Sequence, residues 1–459
     1  MCELRRIRQL RASRACLQAA CHRGEGPRTV SERSRNPSSY YLMLGVTVAL
    51  VLVGLVMIFS ASSAMAYTQT GDSYYYLKRQ LMYIAIGATS LIVLRRLDYH
   101  KLREVTYPLL LVGFAGLVAV EIPGLGHTAG GAARWLSLGP IRVQPSEIVK
   151  LAVLLAATDI LTRKRDKLSD VRELSVPLLP LVGIFCLLVV LQPDLGTAFI
   201  ISFATLIVAY AAGARKTHLA QISGGLGVAV AAFILIEPFR LTRFLAFLDP
   251  WRDPRGAGFH IIQSLVAFGS GGWTGIGLGL SRQKYFYLPA AHTDFIFAII
   301  GEELGLIGTL LVVVLMAALL FAGMKIAFRA RDFYGRLLAA GLTSMILSQA
   351  VINMAAVTGL LPITGIPLPL VSFGGSSLIV TLSAIGIMLN VSSQESARQR
   401  VGSRGEQPKS APVRRGNGRP RLSSVGSGRR TAAPQRKPAA ALRGHDSRPR
   451  GRGRAKRGA

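Results

Sequence analysis

One long apolar segment of this sequence begins with polar residues whose types and spacing suit the binding of an anion. Glu147 and Lys150 are three residues apart, so a helix would place both side chains on one face. Arg142, Gln144 and Ser146 stand just before this pair. Fixed basic side chains could hold an anion through charge-assisted hydrogen bonds. The alternative is that Glu147 and Lys150 form only a structural ion pair.

A second polar group, His292-Thr293-Asp294, opens another apolar segment. Asp294 stands where a helix-capping acid is expected, so capping is the alternative to a chemical role. Glu302 and Glu303 lie two turns deeper, where ionisable side chains are costly and commonly functional. One of these two acids could pair with a basic side chain that the sequence does not identify.

Two glycine-rich stretches complete the set of candidate site segments. One covers residues 269–279, and the other, 372–377, begins at Ser372 after a Pro-rich run. Glycine permits tight turns and close backbone approach. Such loops could cradle phosphates, but without a strand–turn–helix context they give only a weak nucleotide signal.

These polar groups must be positioned by membrane helices. Crossing a bilayer takes roughly 20 apolar residues, and ten apolar stretches approach that length: 42–66, 80–95, 107–121, 146–162, 175–191, 195–213, 218–236, 293–322, 334–358 and 371–391. The sequence therefore predicts an all-α polytopic membrane protein of about ten transmembrane helices. A long loop, 237–292, separates helices 7 and 8.

The basic residues of the short loops predict that both termini are cytoplasmic. With the N-terminus inside, the loops after helices 2, 4, 6 and 8 are also inside, and each carries Lys or Arg. The first segment is too long for a signal peptide and is expected to be an anchor. The outside loops 122–145 and 237–292 also carry Arg, which solvation, outer-leaflet headgroups or an anionic ligand could explain.

Composition excludes two broad classes of protein. Of the 459 residues, 51% are hydrophobic, and the formal net charge is +31. A disordered basic protein would contain fewer apolar residues, and an ordinary soluble enzyme would not carry such long apolar blocks. The four Cys residues have no spacing typical of disulfide or metal frameworks.

Much of the charge lies in two tails. Residues 1–40 carry +6 and residues 401–459 carry +15. We predict a basic cytoplasmic tail over 1–40, the transmembrane domain over 41–392, and a disordered basic cytoplasmic tail over 393–459. Attraction to anionic lipid explains such tails more readily than nucleic acid, which is not an expected partner.

The residues alone thus indicate a membrane protein with a polar, outward-facing pocket that contains Arg, Lys and a few carboxylates. An anionic lipid-linked substrate fits this pocket, and so does a transported anion.

Several long motifs resemble the SEDS family (shape, elongation, division and sporulation), in the family's order and over residues 40–395. The matching segments are GAARWLSLGP at 131–140, QPSEIVK at 144–150, QPDLGTA at 192–198, RF with LDPW at 243–251, SRQK at 281–284, YLPAAHTDFIF at 287–297, Asn353 and the stretch 362–377. The chain is most similar to the division members. One departure is Phe259-His260, where many relatives have an aromatic residue and Gln.

The resemblance implies a peptidoglycan glycosyltransferase that polymerises lipid II into β-1,4 glycan strands. A GlcNAc 4-hydroxyl of one lipid II would attack the MurNAc anomeric carbon of the growing chain, and undecaprenyl pyrophosphate would leave with inversion. The family's proposed general base falls on Asp294. The resemblance also implies a place at the division septum in the bacterial plasma membrane, beside a class B penicillin-binding protein and other division proteins.

Asp294, Glu147 and Lys150 are the predicted catalytic residues, with Glu147 holding Lys150 in place or assisting a metal. Arg142, Lys150 and Arg243 are expected to stabilise charge on the leaving pyrophosphate. The other expected binding residues are Gln144, Ser146, Lys284, His292 and Thr293, and the expected pocket or structural residues are Asp194, Glu302 and Ser372. A divalent cation such as Mg²⁺ or Mn²⁺ could bridge the pyrophosphate, but the sequence defines no ligand set.

Three alternatives remain open. A lipid II flippase would need polar groups near the membrane midplane, and Asp194, Glu302 and Glu303 keep that function in consideration. A non-catalytic division scaffold would leave Asp294 and Lys150 unexplained. The elongation and sporulation members of the family are the third alternative.

Overall fold

A computed structural model describes residues 38–405 except 130–131, 140, 168–170, 237 and 286. The described residues form twelve α-helices: α1 Ser38–Thr70, α2 Tyr75–Arg96, α3 Leu102–Glu121, α4 Pro145–Arg163, α5 Val171–Leu191, α6 Leu195–Ala211, α7 Lys216–Ile236, α8 Pro238–Leu248, α9 Phe259–Gly271, α10 Ile296–Arg329, α11 Phe333–Val357 and α12 Gly375–Gly405. Helix α12 runs past the predicted boundary at 393. The predicted tail 1–40 lies almost wholly outside the described residues, as does the second tail beyond 405.

Each of the ten predicted apolar segments corresponds to one long helix, α1–α7 or α10–α12, although the segments 293–322 and 371–391 begin before the helices α10 and α12 do. Within the described part of the chain, eight of these helices are long and apolar enough to cross a membrane. The other two are α4, which carries Glu147, Lys150 and Asp159, and α6, which has only 17 residues. Most of α4 is buried among α3, α5, α6, α11 and α12. Neighbouring helices rather than lipid therefore surround its charged side chains.

The start of α1 and the ends of α2 and α12 meet at one end of the bundle. Arg95 Nη1 donates to Tyr40 Oη at 2.7 Å, and Asn390 Nδ2 donates to Leu94 O at 2.9 Å. Because short connections join most of the successive long helices, their directions alternate. The starts of α4, α6, α10 and α12 consequently lie at the other end, which we call the cavity end.

A small antiparallel sheet follows α3 at the cavity end, and the sequence did not predict it. Its strands are β1 Gly126–Ala129, β2 Ala132–Leu138 and β3 Ile141–Val143, in the order β1-β2-β3. Ser137 of β2 pairs with Arg142 of β3. Strands this short give little alternation of apolar and polar residues, so no period-two pattern marked them. The sheet carries Arg134 and Arg142 to the cavity.

The predicted long loop 237–292 is largely folded, since it contains α8 and α9. After α9, residues 272–280 form what we call the re-entrant loop, which packs against a break in α10 at Gly305, where φ is +66°. Ile276 N donates to Glu302 O at 3.0 Å, and Leu306 N donates to Gly272 O at 3.0 Å. The loop thereby satisfies backbone groups that the break removes from the helix, as irregular backbone at membrane depth requires.

Candidate active site

A cavity of about 1030 Å³ opens at the cavity end of the bundle. Segments from α2, the sheet, α8, α9, the turn before α10 and the loop before α12 line it. The polar lining residues include Arg79, Arg134, Arg142, Gln144, Arg243, His260, Thr293 and Asp294. Four of the expected site residues besides Asp294 therefore reach the cavity, namely Arg142, Gln144, Arg243 and Thr293.

Asp294 lies in the turn directly before α10, outside the spanning segment. The pKa of its carboxyl group is raised to about 6, chiefly because burial disfavours the charged form. The guanidinium groups of Arg134 and Arg243 oppose the rise, and the negative charge of Asp194 adds to it. The result is a carboxylate that can accept a proton near neutral pH while it faces a cationic cavity.

Arg134 faces Asp294 across Gly365. A Cβ atom built on Gly365 would lie 3.8 Å from Asp294 Oδ2 and 3.9 Å from Arg134 Nη1, which places both groups beside the same backbone position. Arg134 is held by the turn before α6, because its Nε donates to Gln192 O at 2.9 Å and its Nη2 donates to Pro193 O. This cation is therefore fixed before any ligand enters.

Asp194 is buried and caps α6, where it accepts a hydrogen bond from Thr197 N at 3.1 Å. Its other carboxylate oxygen lies 3.3 Å from Gln144 Nε2 and 3.5 Å from Ser146 Oγ. Asp194 thus fixes the start of α4. Ser146 contacts Asp194 and does not reach the cavity surface.

Glu147 and Lys150 form a buried ion pair beneath the cavity. Lys150 Nζ lies 2.9 Å from both carboxylate oxygens of Glu147 and 2.9 Å from Gln349 Oε1. Gln349 Nε2 in turn donates to Pro367 O and Ser377 Oγ, both at 3.0 Å. Neither member of the pair lines the cavity. The geometry therefore favours the structural ion pair, which supports the cavity wall through Gln349.

Lys284 also points away from the cavity. Its Nζ lies 3.6 Å from Glu303 Oε1 and donates to Gly279 O. Lys284 is therefore the basic partner that the sequence left unidentified. Ser60 Oγ of α1 lies 2.6 and 2.7 Å from the two oxygens of Glu303.

Glu302 binds the segment that leads out of the re-entrant loop. Its carboxylate accepts hydrogen bonds from Arg282 N at 3.0 Å and from Ser281 Oγ. Glu302 and Glu303 together bind the segment 281–284, which leads on to Asp294.

His292 and Ser372 lie behind the cavity wall. The His292 ring packs against Tyr76 and Phe373, with ring centroids 4.5 and 5.7 Å apart, and burial lowers its pKa to about 4. Ser372 Oγ accepts a hydrogen bond from Leu368 N at 2.8 Å. Both residues shape the wall, and neither contacts the open cavity.

Sequence reasoning did not assign Arg79, Arg134 and His260 to the site. Arg79 stands in the first turns of α2, just before the apolar stretch predicted at 80–95, with its guanidinium 4.9 Å from the Tyr75 ring centroid. A basic residue beside three tyrosines at a segment end was the available signal. Arg134 lay within a matching motif, and His260 was the departure from the family pattern.

The donor set for a metal is small. Among the described residues, no group of three or more His, Cys, Asp or Glu side chains could hold a metal ion. A Mg²⁺ ion that takes most of its ligands from substrate phosphates needs only one or two carboxylates, and Asp294, which lines the cavity, could supply one.

Comparison with known families matches residues 40–397 to the cell cycle protein family of FtsW, RodA and SpoVE. Among curated proteins, the chain is 42% identical over 364 residues to stage V sporulation protein E of Bacillus subtilis, covering 78% of this chain and 98% of the relative. It is 42% identical over 357 residues to the probable peptidoglycan glycosyltransferase FtsW of Geobacter metallireducens, covering 77% of this chain and 94% of the relative.

The chain is also similar in fold to solved structures. A chain from a peptidoglycan synthase complex that coordinates polymerization and crosslinking is 29% identical, with a TM-score of 0.63 and coverage of 77% of this chain and 98% of that chain. The rod shape determining protein RodA of Thermus thermophilus is 28% identical, with a TM-score of 0.55 and coverage of 77% and 96%. The family expected from the sequence motifs is confirmed.

Proposed function

The chain belongs to the cell cycle protein family of FtsW, RodA and SpoVE, and we propose that it is a peptidoglycan glycosyltransferase that polymerises lipid II. The observation that carries this proposal is Asp294, a carboxylate with a pKa of about 6, in a cavity that four arginines of the described part of the chain line. The names of several relatives, which include probable peptidoglycan glycosyltransferases, support the same activity.

In the proposed reaction, Asp294 removes the proton from the 4-hydroxyl of a GlcNAc unit. The oxygen then bonds to the anomeric carbon of MurNAc at the end of the growing chain. The bond from that carbon to the pyrophosphate oxygen breaks with inversion, and undecaprenyl pyrophosphate leaves as an anion. A positioned general base of this kind raises the reaction rate by roughly 10²–10⁴-fold.

The arginines stabilise charge that develops on the leaving group. Arg134 and Arg243 lie close enough to Asp294 to perturb its titration, whereas Arg79 and Arg142 line the cavity near Tyr76. Cations held in place before the reaction stabilise a developing anion without reorganisation. Lys150 and Glu147 contribute only through the wall that they support.

We place the cavity on the outer face of the membrane, with both ends of the described chain inside. The loops at the opposite end are short and rich in Lys and Arg, which supports this orientation. The flippase alternative loses support, because Asp194 caps α6 while Glu302 and Glu303 bind the segment 281–284. None of these three acids lines the cavity.

A class B penicillin-binding protein is the proposed partner, and it would supply the crosslinking activity. The likeness to a chain of a peptidoglycan synthase complex supports this pairing. We further propose the septal division role. Depleting the chain in its host should then give filaments, whereas swollen or round cells would indicate elongation and a sporulation defect would indicate the third role.

The test of the function is polymerisation of purified lipid II by the reconstituted full chain, with and without the candidate partner. Asp294→Asn should abolish glycan formation while the protein stays monodisperse and binds the partner. Asp332→Asn is the matched control, because Asp332 caps α11 at the opposite end and Asn also caps helices well. Full activity of the Asp294→Asn variant would end the general-base assignment.

A further inference from the structure

We propose that Asn353 of α11 is a positioning residue that fixes the main chain of Asp294 to the adjacent loop 362–374, which also lines the cavity. This inference rests on the proposed function, since it assigns Asn353 a role in placing the general base.

The contacts are made by a single amide group. Asn353 Nδ2 donates to Asp294 O at 2.7 Å and to Ile366 O at 2.7 Å. Asn353 is 2% exposed, so both hydrogen bonds are shielded from water. The two hydrogens of one NH₂ group thus join two segments that are far apart in sequence and that both line the cavity.

The main chain before α10 needs such a support. Helix α10 begins its hydrogen bonding at Phe295 O, which accepts from Ala298 N at 2.9 Å and from Ile299 N at 3.3 Å. Asp294 O therefore points to the Asn353 side chain and not into the helix ladder. The preceding turn contains Ala290 with φ +55°, a conformation that non-glycine residues rarely adopt. The helix alone does not fix the Asp294 peptide.

The second contact holds the neighbouring part of the cavity wall. Ile366 follows Gly365, whose backbone lies beside both Asp294 Oδ2 and Arg134 Nη1. By holding Ile366 O and Asp294 O together, Asn353 sets the distance between this wall and the carboxylate. Gln349, one helical turn earlier, holds Pro367 O of the same loop. Two amides on one face of α11 therefore hold adjacent parts of the loop.

The amide can work in only one orientation. The flipped side chain would place Oδ1 against two carbonyl oxygens, which cannot donate a hydrogen bond. Oδ1 itself is buried and has no hydrogen-bond partner within the described part of the chain. Asn353 and Asp294 also line a small cavity of about 10 Å³, close to the least volume that holds one water.

Asn390 is a matched control within the same chain. It is also 2% exposed, and its Nδ2 also donates to main-chain carbonyls, Leu94 O at 2.9 Å and Arg95 O at 3.1 Å. It lies at the opposite end of the bundle, far from the cavity. Asn353→Ala and Asn390→Ala therefore remove the same kind of buried support at two sites, of which only one faces Asp294.

The experiment measures kcat, KM for lipid II, the pH midpoint of kcat and the Tm of the full chain for both variants. Asn353→Ala should lower kcat roughly 10–100-fold, the scale expected when a catalytic group is misplaced by about 1 Å, with little change in KM. Its pH midpoint should fall, because a loosened Asp294 gains water. Asn390→Ala should lower Tm but leave kcat and the midpoint unchanged. Equal kcat and midpoint for Asn353→Ala and wild type would overturn the proposal.

Hydrogen–deuterium exchange separates this proposal from the proposed function. In Asn353→Ala, peptides covering 290–298 and 362–368 should exchange faster together, whether or not the protein polymerises lipid II. Unchanged exchange in either peptide would also overturn the inference. The proposed function, in contrast, fails only if the wild type does not polymerise lipid II or Asp294→Asn retains activity.

Discussion

The surroundings of the Asp294 carboxylate differ from those of the buried carboxylates Glu147, Glu303 and Asp194. Glu147 is paired with Lys150, Glu303 with Lys284, and Asp194 caps a helix. Within the described residues, no hydrogen bond reaches the Asp294 carboxylate, although arginines lie close enough to oppose the rise in its pKa. A carboxylate in this state can accept a proton, because no strong partner holds it permanently ionised.

At the residue scale, Arg243→Gln should move the acidic limb of the pH–rate profile to higher pH. Arg243 lowers the pKa of Asp294, so its removal raises that pKa, and the base is then ionised only at higher pH. We expect the acidic limb to shift by up to about one pH unit and turnover to fall roughly 10-fold or more.

Arg255→Gln is the control for this change. Arg255 is exposed and does not line the cavity. It lies in the segment 237–292, which also contains Arg243. Both the pH profile and turnover should match the wild type. If Arg243→Gln also matched the wild type in both, Arg243 would have no place in the site.

At the scale of elements, the re-entrant loop and the broken helix α10 depend on each other. Gly277 N donates to Glu303 O at 3.1 Å, and Ile307 N donates to Trp273 O at 3.2 Å. The carboxylates of Glu302 and Glu303 then bind the following segment, 281–284. Because that segment leads to Asp294, the conformation of the loop helps to determine where the proposed base lies.

Gly275→Ala should therefore destabilise the protein more than Gly279→Ala does. Both glycines have φ +80°, so the backbone strain of an alanine is similar at the two positions. A Cβ atom at Gly275 would lie 2.1 Å from Glu303 O, whereas one at Gly279 would meet nothing within 4 Å. We expect the overpacked variant to lose about 1–3 kcal/mol more.

Thermal unfolding in detergent, followed by lipid II polymerisation, measures this difference. Gly275→Ala should show a lower Tm and lower turnover than Gly279→Ala. Equal Tm values for the two variants would mean that the loop does not pack against the break in α10 in solution.

At the scale of the whole molecule, the net charge of +31 has separate origins. Basic residues in the short loops favour one orientation in the membrane, while four arginines of the described residues line the cavity. The predicted basic tails account for much of the remainder. The net charge alone therefore indicates little about catalysis, because only the basic residues at the cavity could contact a substrate.

Deleting residues 406–459 should leave polymerisation of lipid II in vitro largely intact. Among the described residues, those that line the cavity lie between Gln69 and Ser377, and the deletion begins after the end of α12. The measurement is glycan chain formation by the truncated chain beside the full chain at equal protein concentration. Complete loss of activity in a folded truncated protein would show that the tail takes part in the reaction.

The sequence by itself determined the long helices and pointed to the carboxylate that faces the cavity. Each of the ten apolar segments corresponds to a long helix, because apolar length and hydrogen-bonded backbone leave a membrane segment few alternatives. The motif around Asp294 predicted the group that now faces the cavity. These features are local, since each depends on residues that are near one another in the chain.

Only the tertiary structure decided which basic residues surround that carboxylate. Lys150 and Lys284 were expected to bind substrate, but Glu147 and Glu303 hold them in the protein interior. Arg134 and Arg79 reach the cavity instead. The direction of a long basic side chain depends on partners that folding brings from distant segments, so spacing along the chain could not reveal it.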